Sequence, residues 1–132
     1  MSGEGTDRGI AAWISVADAA AAIPFYEAAF GAVELESDRL DGEDGTPEVA
    51  HLQVGSSDFW VQRDPEANPA AVGGRSPVRL ILTVPDPDSV FAQAVALGAE
   101  VVVPVEEHYG WRIGRIVDPS GHHWEIGRPL PA

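Results

Sequence analysis

Apolar residues along the chain alternate in twos, then recur at helical spacing, then alternate again, and this order occurs twice. In "AAWISVADAAAAIPFYEAAFGAVELES" a strand leads through an Asp into a helix, and Gly-Ala leads out into a second strand. "VRLILTVPDPDSVFAQAVALGAEVVVP" follows the same plan. Val16-Ala17-Asp18 matches Val84-Pro85-Asp86, and Phe30-Gly31-Ala32 matches Leu97-Gly98-Ala99 with a one-residue slip inside the helix. Asp18 and Asp86 suit the helix entries, where a carboxylate accepts from orphan backbone N–H groups. Gly31 and Gly98 suit the exits, where a left-handed residue is wanted. Pro24 is tolerable only where the helix begins close by or bends.

Two more strands follow in each half: "EVAHLQVG" and "DFWVQRD", then "WRIGRIVD" and "HHWEIG". Asp118-Pro119-Ser120-Gly121 reads as a type I turn, and Gly55-Ser56-Ser57-Asp58 is its weaker counterpart. Each half is thus βαβββ, which predicts an α+β fold. The expected organisation is one domain, 1–132, with modules at 8–67 and 77–130 and a Gly/Pro-rich linker at 68–76. Residues 40–47, "LDGEDGTP", read as a mobile acidic loop, and "MSGEGTDRG" as a short disordered tail.

Alternation assigns faces. Ile10, Ala12, Ile14 and Val16 are expected against the first helix, with Ala11, Trp13 and Ser15 turned away. Val78, Leu80, Leu82 and Val84 are expected against the second, with Arg79, Ile81 and Thr83 turned away. The first hairpin puts His51, Gln53, Trp60 and Gln62 on one face. Closing the second hairpin tightly on its turn pairs Val117 with His122 and Gly114 with Glu125. That register puts Ile113, Arg115, Val117, His122, Trp124 and Ile126 on the core side. It leaves Arg112, Gly114, Ile116, His123 and Glu125 on the other. One face then collects Trp13, His51, Gln53, Trp60, Gln62, Arg79, His123 and Glu125. Tryptophans mixed with polar groups suit a ligand cleft better than a dry core.

Composition narrows the chemistry. The chain has 132 residues, a net charge of −13 and no cysteine, so disulfides and thiolate chemistry are excluded. All eight bases are arginine, which excludes lysine Schiff bases. A duplex binder needs a basic footprint, so nucleic acid is not an expected partner. No apolar run reaches the ~18 residues of a membrane span. A cytoplasmic protein is expected, and the acidity suits either solubility or attraction of a cationic small molecule. There is no nucleophile-elbow serine and no phosphate-cradling P-loop.

The stretches "ISVADAAAAIPFYEAAFGA" and "GRIVDPSGHHWEIGRP" resemble the vicinal oxygen chelate superfamily, which includes glyoxalase I, extradiol dioxygenases, fosfomycin-resistance and bleomycin-binding proteins. The likeness spans roughly residues 8–130 and is nearest to the small phosphonate-operon-type and bleomycin-resistance-like branch. It implies two βαβββ modules forming a U-shaped mixed sheet around a cleft, and a homodimer. Metal-using members take ligands from the first and last strand of each module. The matching positions here are Ala11, Gln62, Arg79 and Glu125. Alanine has no donor atom and arginine repels a cation, so no metal cofactor is expected unless His51 or His123 substitutes. Arg79 and Glu125 are candidates for an ion pair in the vacated place.

Tyr109 and Trp111 read as loop aromatics before the last hairpin, with Arg112 suited to clamp an anion. The ligand-binding candidates are therefore Trp13, His51, Trp60, Gln62, Arg79, Trp111, Arg112, His123 and Glu125. The expected function is metal-independent binding of a small molecule, aromatic or cationic, of the resistance type. The alternative is a glyoxalase-like lyase or isomerase, or a dioxygenase, using Glu125 and a histidine with a divalent metal.

Overall fold

The computed structural model describes residues 8–67 and 76–132. The tail at 1–7 and all but the last residue of the expected linker lie outside the described residues. The first module runs β1 (Ala12–Val16), α1 (Ala19–Phe30), β2 (Val33–Glu34), a 3-10 turn (Glu36–Asp38), β3 (Leu40–Asp41), β4 (Pro47–Val54) and β5 (Ser57–Arg63). The second runs β6 (Leu80–Thr83), α2 (Pro87–Ala96), β7 (Glu100–His108), β8 (Trp111–Val117) and β9 (His123–Pro129). The sheets order as β1-β5-β4-β2, with β3 on β4, and β6-β9-β8-β7. In both, the opening strand pairs in parallel with the closing one and the remaining pairs are antiparallel. The repeat read from the sequence is thus a repeat of topology, and the α+β class stands.

Local chemistry explains the elements. Asp18 accepts from Ala21 N–H at 3.1 Å and Asp86 from Ser89 N–H at 3.2 Å, so each helix opens on a carboxylate cap. Gly31 closes α1 at φ 70°, where a side chain would be strained. Pro24 lies inside α1 on its solvent side, so the bond it cannot donate is lost next to water. Each helix lies on one face of its sheet, and the two buried faces merge into one core. Tyr26, Phe30 and Phe59 of the first module all meet Trp124 of the second, at ring separations of 4.8–5.8 Å. Among the described residues no helix is long and apolar enough to cross a membrane.

Asp118 ties the modules together. It is 3% exposed. One oxygen accepts from the Tyr26 hydroxyl at 2.6 Å and the Trp124 indole at 2.8 Å. The other accepts from the backbone N–H of Ser120 and His122. A buried carboxylate with four donors is stable where one with none would be expelled. Burial, and then the Asp118 charge, raise the Tyr26 pKa well above its usual range, so the phenol stays a donor.

Several expectations need correction. The second hairpin pairs Val117 with His123 and Arg115 with Glu125, one residue away from the expected register. The reason lies in the turn. Asp118 C=O accepts from Gly121, as a type I turn requires, but Asp118 N–H then donates to His122 C=O at 2.8 Å. Gly121, at φ 94°, is an extra left-handed residue that lengthens the connection. A one-residue change of register swaps faces across the hairpin. Gly114 and Ile116 therefore join Trp124 and Ile126 on the core side, and Arg115 joins His123 and Glu125 on the open one.

The "EEHYGWR" segment is not a loop. β7 continues to His108, Tyr109-Gly110 make a two-residue turn with both φ positive, and Trp111 opens β8. The 40–47 segment contains β3 paired to β4. Ile10 and Val78 stand exposed outside the strands that were expected to bury them.

Candidate functional site

Each sheet has a face turned away from its helix. In the first module β1 and β5 pair in parallel with Trp13 opposite Trp60 and Ser15 opposite Gln62. Their period-two alternation lifts all four side chains to this open face. Trp13 stacks on Trp60 at 5.9 Å, and Trp60 stacks on His51 at 3.8 Å with ring planes 4° apart. The Trp13 indole donates to Gln62 Oε1 at 3.0 Å, and the Ser15 hydroxyl reaches the same oxygen at 3.4 Å. The result is a three-ring platform whose outer member, Trp13, is 54% exposed.

His51 is held at both ring nitrogens. Nδ1 meets Asp38 at 2.8 Å and Nε2 meets Asp58 at 2.7 Å. Burial disfavours its charged form, but the hydrogen bonds to Asp58 and Asp38 outweigh that, and the pKa rises above the ordinary 6.5. Asp58 was legible, being two residues before Trp60 on the same strand face. Asp38 was not. It arrives on an irregular turn brought to β4 by the bond from Leu35 N–H to His51 C=O.

In the second module the open face carries Arg79, Ile81, Arg115, His123 and Glu125. Arg79 Nε donates to Glu125 Oε2 at 2.8 Å, the ion pair considered from the sequence. His123 is 2% exposed. Its Nδ1 accepts from Arg115 through Nε at 3.2 Å and Nη2 at 2.6 Å. The hydrogen-bond network therefore assigns a neutral ring with its proton on Nε2, which is buried without a partner among the described residues. Burial, then Arg115 and Arg79, depress the His123 pKa and agree with a neutral ring. Arg115 was assigned to the wrong face from the sequence. Arg115 shares a strand face with Ile113 and Val117, and only the hairpin register shows that this face is the open one.

The other candidates lie elsewhere. Arg112 faces the helix side and grips Asp88, near the start of α2, through Nε at 2.7 Å and Nη2 at 2.6 Å. Its fork is spent on that carboxylate, whose pKa it lowers, so it is not a free anion clamp on the open face. Trp111 is half-buried at the start of β8, opposite His108 and Pro129. His122 leaves the sheet and joins the modules by a bond between its Nε2 and Ser15 C=O at 2.7 Å. Trp13, His122 and His123 line one cavity of about 320 Å³ with Ser76, Val78 and Leu80. This cavity is where the two groups of candidates come together.

The expected ligand positions for a metal do not make a site. Trp13 and Ile81 occupy the same place in the repeat, and their partners on the closing strands are Trp60 and Glu125. The true counterpart of Glu125 is therefore Trp60, two residues before Gln62, and an indole is no ligand. Of Ala11, Trp60, Arg79 and Glu125, only Glu125 has a donor for a cation, and Arg79 occupies it. His51 faces a carboxylate at each ring nitrogen, and the lone pair of His123 accepts from Arg115, so neither ring presents a lone pair to a cation. Among the described residues no group of three His, Cys, Asp or Glu converges as a metal site.

With this geometry in view, the comparisons with known proteins fall into place. The profile of the family described as "Glyoxalase-like domain" matches residues 11–127, and the chain belongs to that family. An uncharacterized protein of Mycobacterium bovis, Mb0911c, is 40% identical over 123 residues, covering 87% of this chain and 79% of its own. TioX from Micromonospora sp. ML1 is 27% identical, with 95% and 98% of the two chains covered and a TM-score of 0.68. The fosfomycin resistance protein FosX from Listeria monocytogenes shares the fold alone: it is 13% identical, with 94% of each chain covered and a TM-score of 0.72.

Proposed function

We propose that the protein is a metal-independent small-molecule-binding protein of the glyoxalase and bleomycin-resistance kind, holding a planar aromatic compound against Trp13. The observation that carries this reading is the Trp13–Trp60–His51 stack at the place where a metal-using relative needs a ligand. Stacking on a half-exposed indole is a sequence of ring-on-ring contacts that an aromatic guest extends. The Gln62 bond holds the indole plane in advance, which lowers the cost of ordering it on binding.

The arrangement supports binding over acid–base catalysis. A general base needs a free lone pair within reach of the substrate. Both His51 nitrogens are on carboxylates, and the one lone pair of His123 is on Arg115. The exposed apolar residues Ile81, Val78 and Trp13 also suit partial cover by a second copy of the chain. Light scattering on the purified protein tests that, with a dimer mass expected.

The test of the main reading is intrinsic tryptophan fluorescence. Titration with a panel of planar aromatic compounds is expected to yield saturable quenching. Trp13→Ala is expected to weaken binding by roughly tenfold or more. Quenching and affinity that survive this change would remove the platform from the site. Metal analysis followed by nickel, zinc and iron titration is expected to find no stoichiometric ion, and one bound through Glu125 would overturn metal independence.

A further inference from the structure

We propose that the open face of the second module is a binding site for a small carboxylate, anchored by Arg115 and oriented by His123. This goes beyond the stacking reading and does not depend on it, because its anchor, Arg115, lines a cavity that Trp13 does not reach. The chain is strongly acidic, and Arg39, Arg63, Arg79 and Arg112 each sit on a carboxylate. Among the described residues no carboxylate pairs with Arg115. Its Nε and Nη2 donate instead to a neutral imidazole. Imidazole absorbs two donors and no charge, so the guanidinium keeps a full positive charge and its Nη1 edge. Half-burial makes that charge costly without a partner.

The surroundings match an anion with an apolar body. Arg115, Arg79, Glu125, His108 and Tyr109 line a cavity of about 210 Å³ together with Val103 and Ile113. Glu125 is already neutralised by Arg79, so the cavity carries a net positive charge inside an acidic molecule. With Nε and one Nη2 hydrogen on His123, the Nη1–Nη2 end of the guanidinium remains to meet a carboxylate through parallel N–H···O bonds. Val103, at 37% exposed, and Tyr109, fully exposed, offer contact to the rest of the ligand. His123 acts as a positioning residue. Its buried ring, accepting from both Nε and Nη2, fixes the tilt of the Arg115 plane.

Calorimetric titration of the full chain with benzoate tests this, with benzamide as the uncharged isostere and inorganic phosphate as the other oxyanion. Saturable benzoate binding is expected, weakened by added sodium chloride, with benzamide and phosphate at least tenfold weaker. Arg115→Met is expected to weaken benzoate by about tenfold to a hundredfold and leave quenching at Trp13 unchanged. Arg115→Lys, which keeps the charge and loses the fork, is expected to fall between. Should Arg115→Met fail to fold, the Arg115 Nε–H resonance of the unmodified chain reads the same contact and is expected to move saturably with benzoate. Equal binding of benzoate and benzamide, preference for phosphate, an unaffected Arg115→Met protein or a stationary resonance would each overturn the assignment. Loss of aromatic quenching at Trp13 alone leaves this proposal standing, so the two readings fail separately.

Discussion

His51 and His123 are both enclosed, yet they respond to protons in opposite ways because of what each nitrogen meets. His51 is flanked by two acceptors, and its pKa in the folded chain lies above the unfolded value. The stability it contributes is therefore complete below that unfolded value and is lost as pH rises through the raised one. The melting-temperature gap between the parent and His51→Gln is expected to be widest in mild acid and to close as pH rises above neutrality. A gap independent of pH would mean that the carboxylate bracket does not hold a proton. His123 is flanked by a donor, and its pKa is depressed. The unfolded chain takes up that proton first as pH falls, so His123 lowers stability below the ordinary histidine value. His123→Gln is accordingly expected to lessen acid sensitivity relative to its effect at neutral pH, measured by urea midpoints across the same range.

At the scale of elements, the hairpin of β8 and β9 depends on two close approaches. A Cβ on Gly114 would lie 2.7 Å from the Phe91 ring and 2.9 Å from the Val105 backbone nitrogen. The ring can yield, but the backbone of β7 cannot. Gly114→Ala is expected to cost about 1–3 kcal/mol by overpacking. Gly9→Ala, with nothing within 4 Å, serves as the neutral control in the same denaturation series. The turn between these strands adds a second test. Asp118→Ala leaves the Tyr26 hydroxyl and Trp124 indole buried without their acceptor, and about 3 kcal/mol or more of stability is expected to be lost. Tyr26→Phe removes one donor of four and should cost only about 1–2 kcal/mol. Equal losses from the two changes would deny Asp118 its role as a hub.

At the scale of the molecule, the two modules are repeats in topology and one unit in energy. Tyr26, Phe30 and Phe59 close on Trp124 across the module boundary, and Asp118 bonds both sides of it. Neither module keeps a complete core alone. Unfolding is expected to be a single transition, with far-ultraviolet circular dichroism and tryptophan fluorescence coincident. Two separated transitions would show that the shared aromatic cluster does not couple the halves. Among the described residues the open faces meet at the His122 bond to β1 and at the cavity that Trp13 lines with His122 and His123. The two anchors, Trp13 and Arg115, line different cavities, which is why aromatic stacking and anion binding are testable independently.

Much of this was legible along the chain. Periodicity, the two Asp caps and the exit glycines identify the two helices, the order of the principal strands and the α+β class, because they depend on neighbours a few residues apart. The face shared by Trp13, His51, Trp60 and Gln62 was legible too: the first hairpin turns at Gly55-Ser56 with Val54 opposite Ser57, not at the expected 55–58, and that two-residue shift of register keeps each side chain on its face. What the sequence left open was decided by longer contacts. One left-handed glycine at 121 moved β9 by a residue, brought Arg115 to the open face and turned Arg112 toward Asp88. The return of β5 beside β1 placed Trp60, not Gln62, in the position that Glu125 holds in the second module. Asp38 reached His51 only through an irregular turn. Alternation determines which residues of one strand share a face, but the pairing of that strand with its neighbours is a tertiary choice, and in this protein the chemistry of the open faces follows from it.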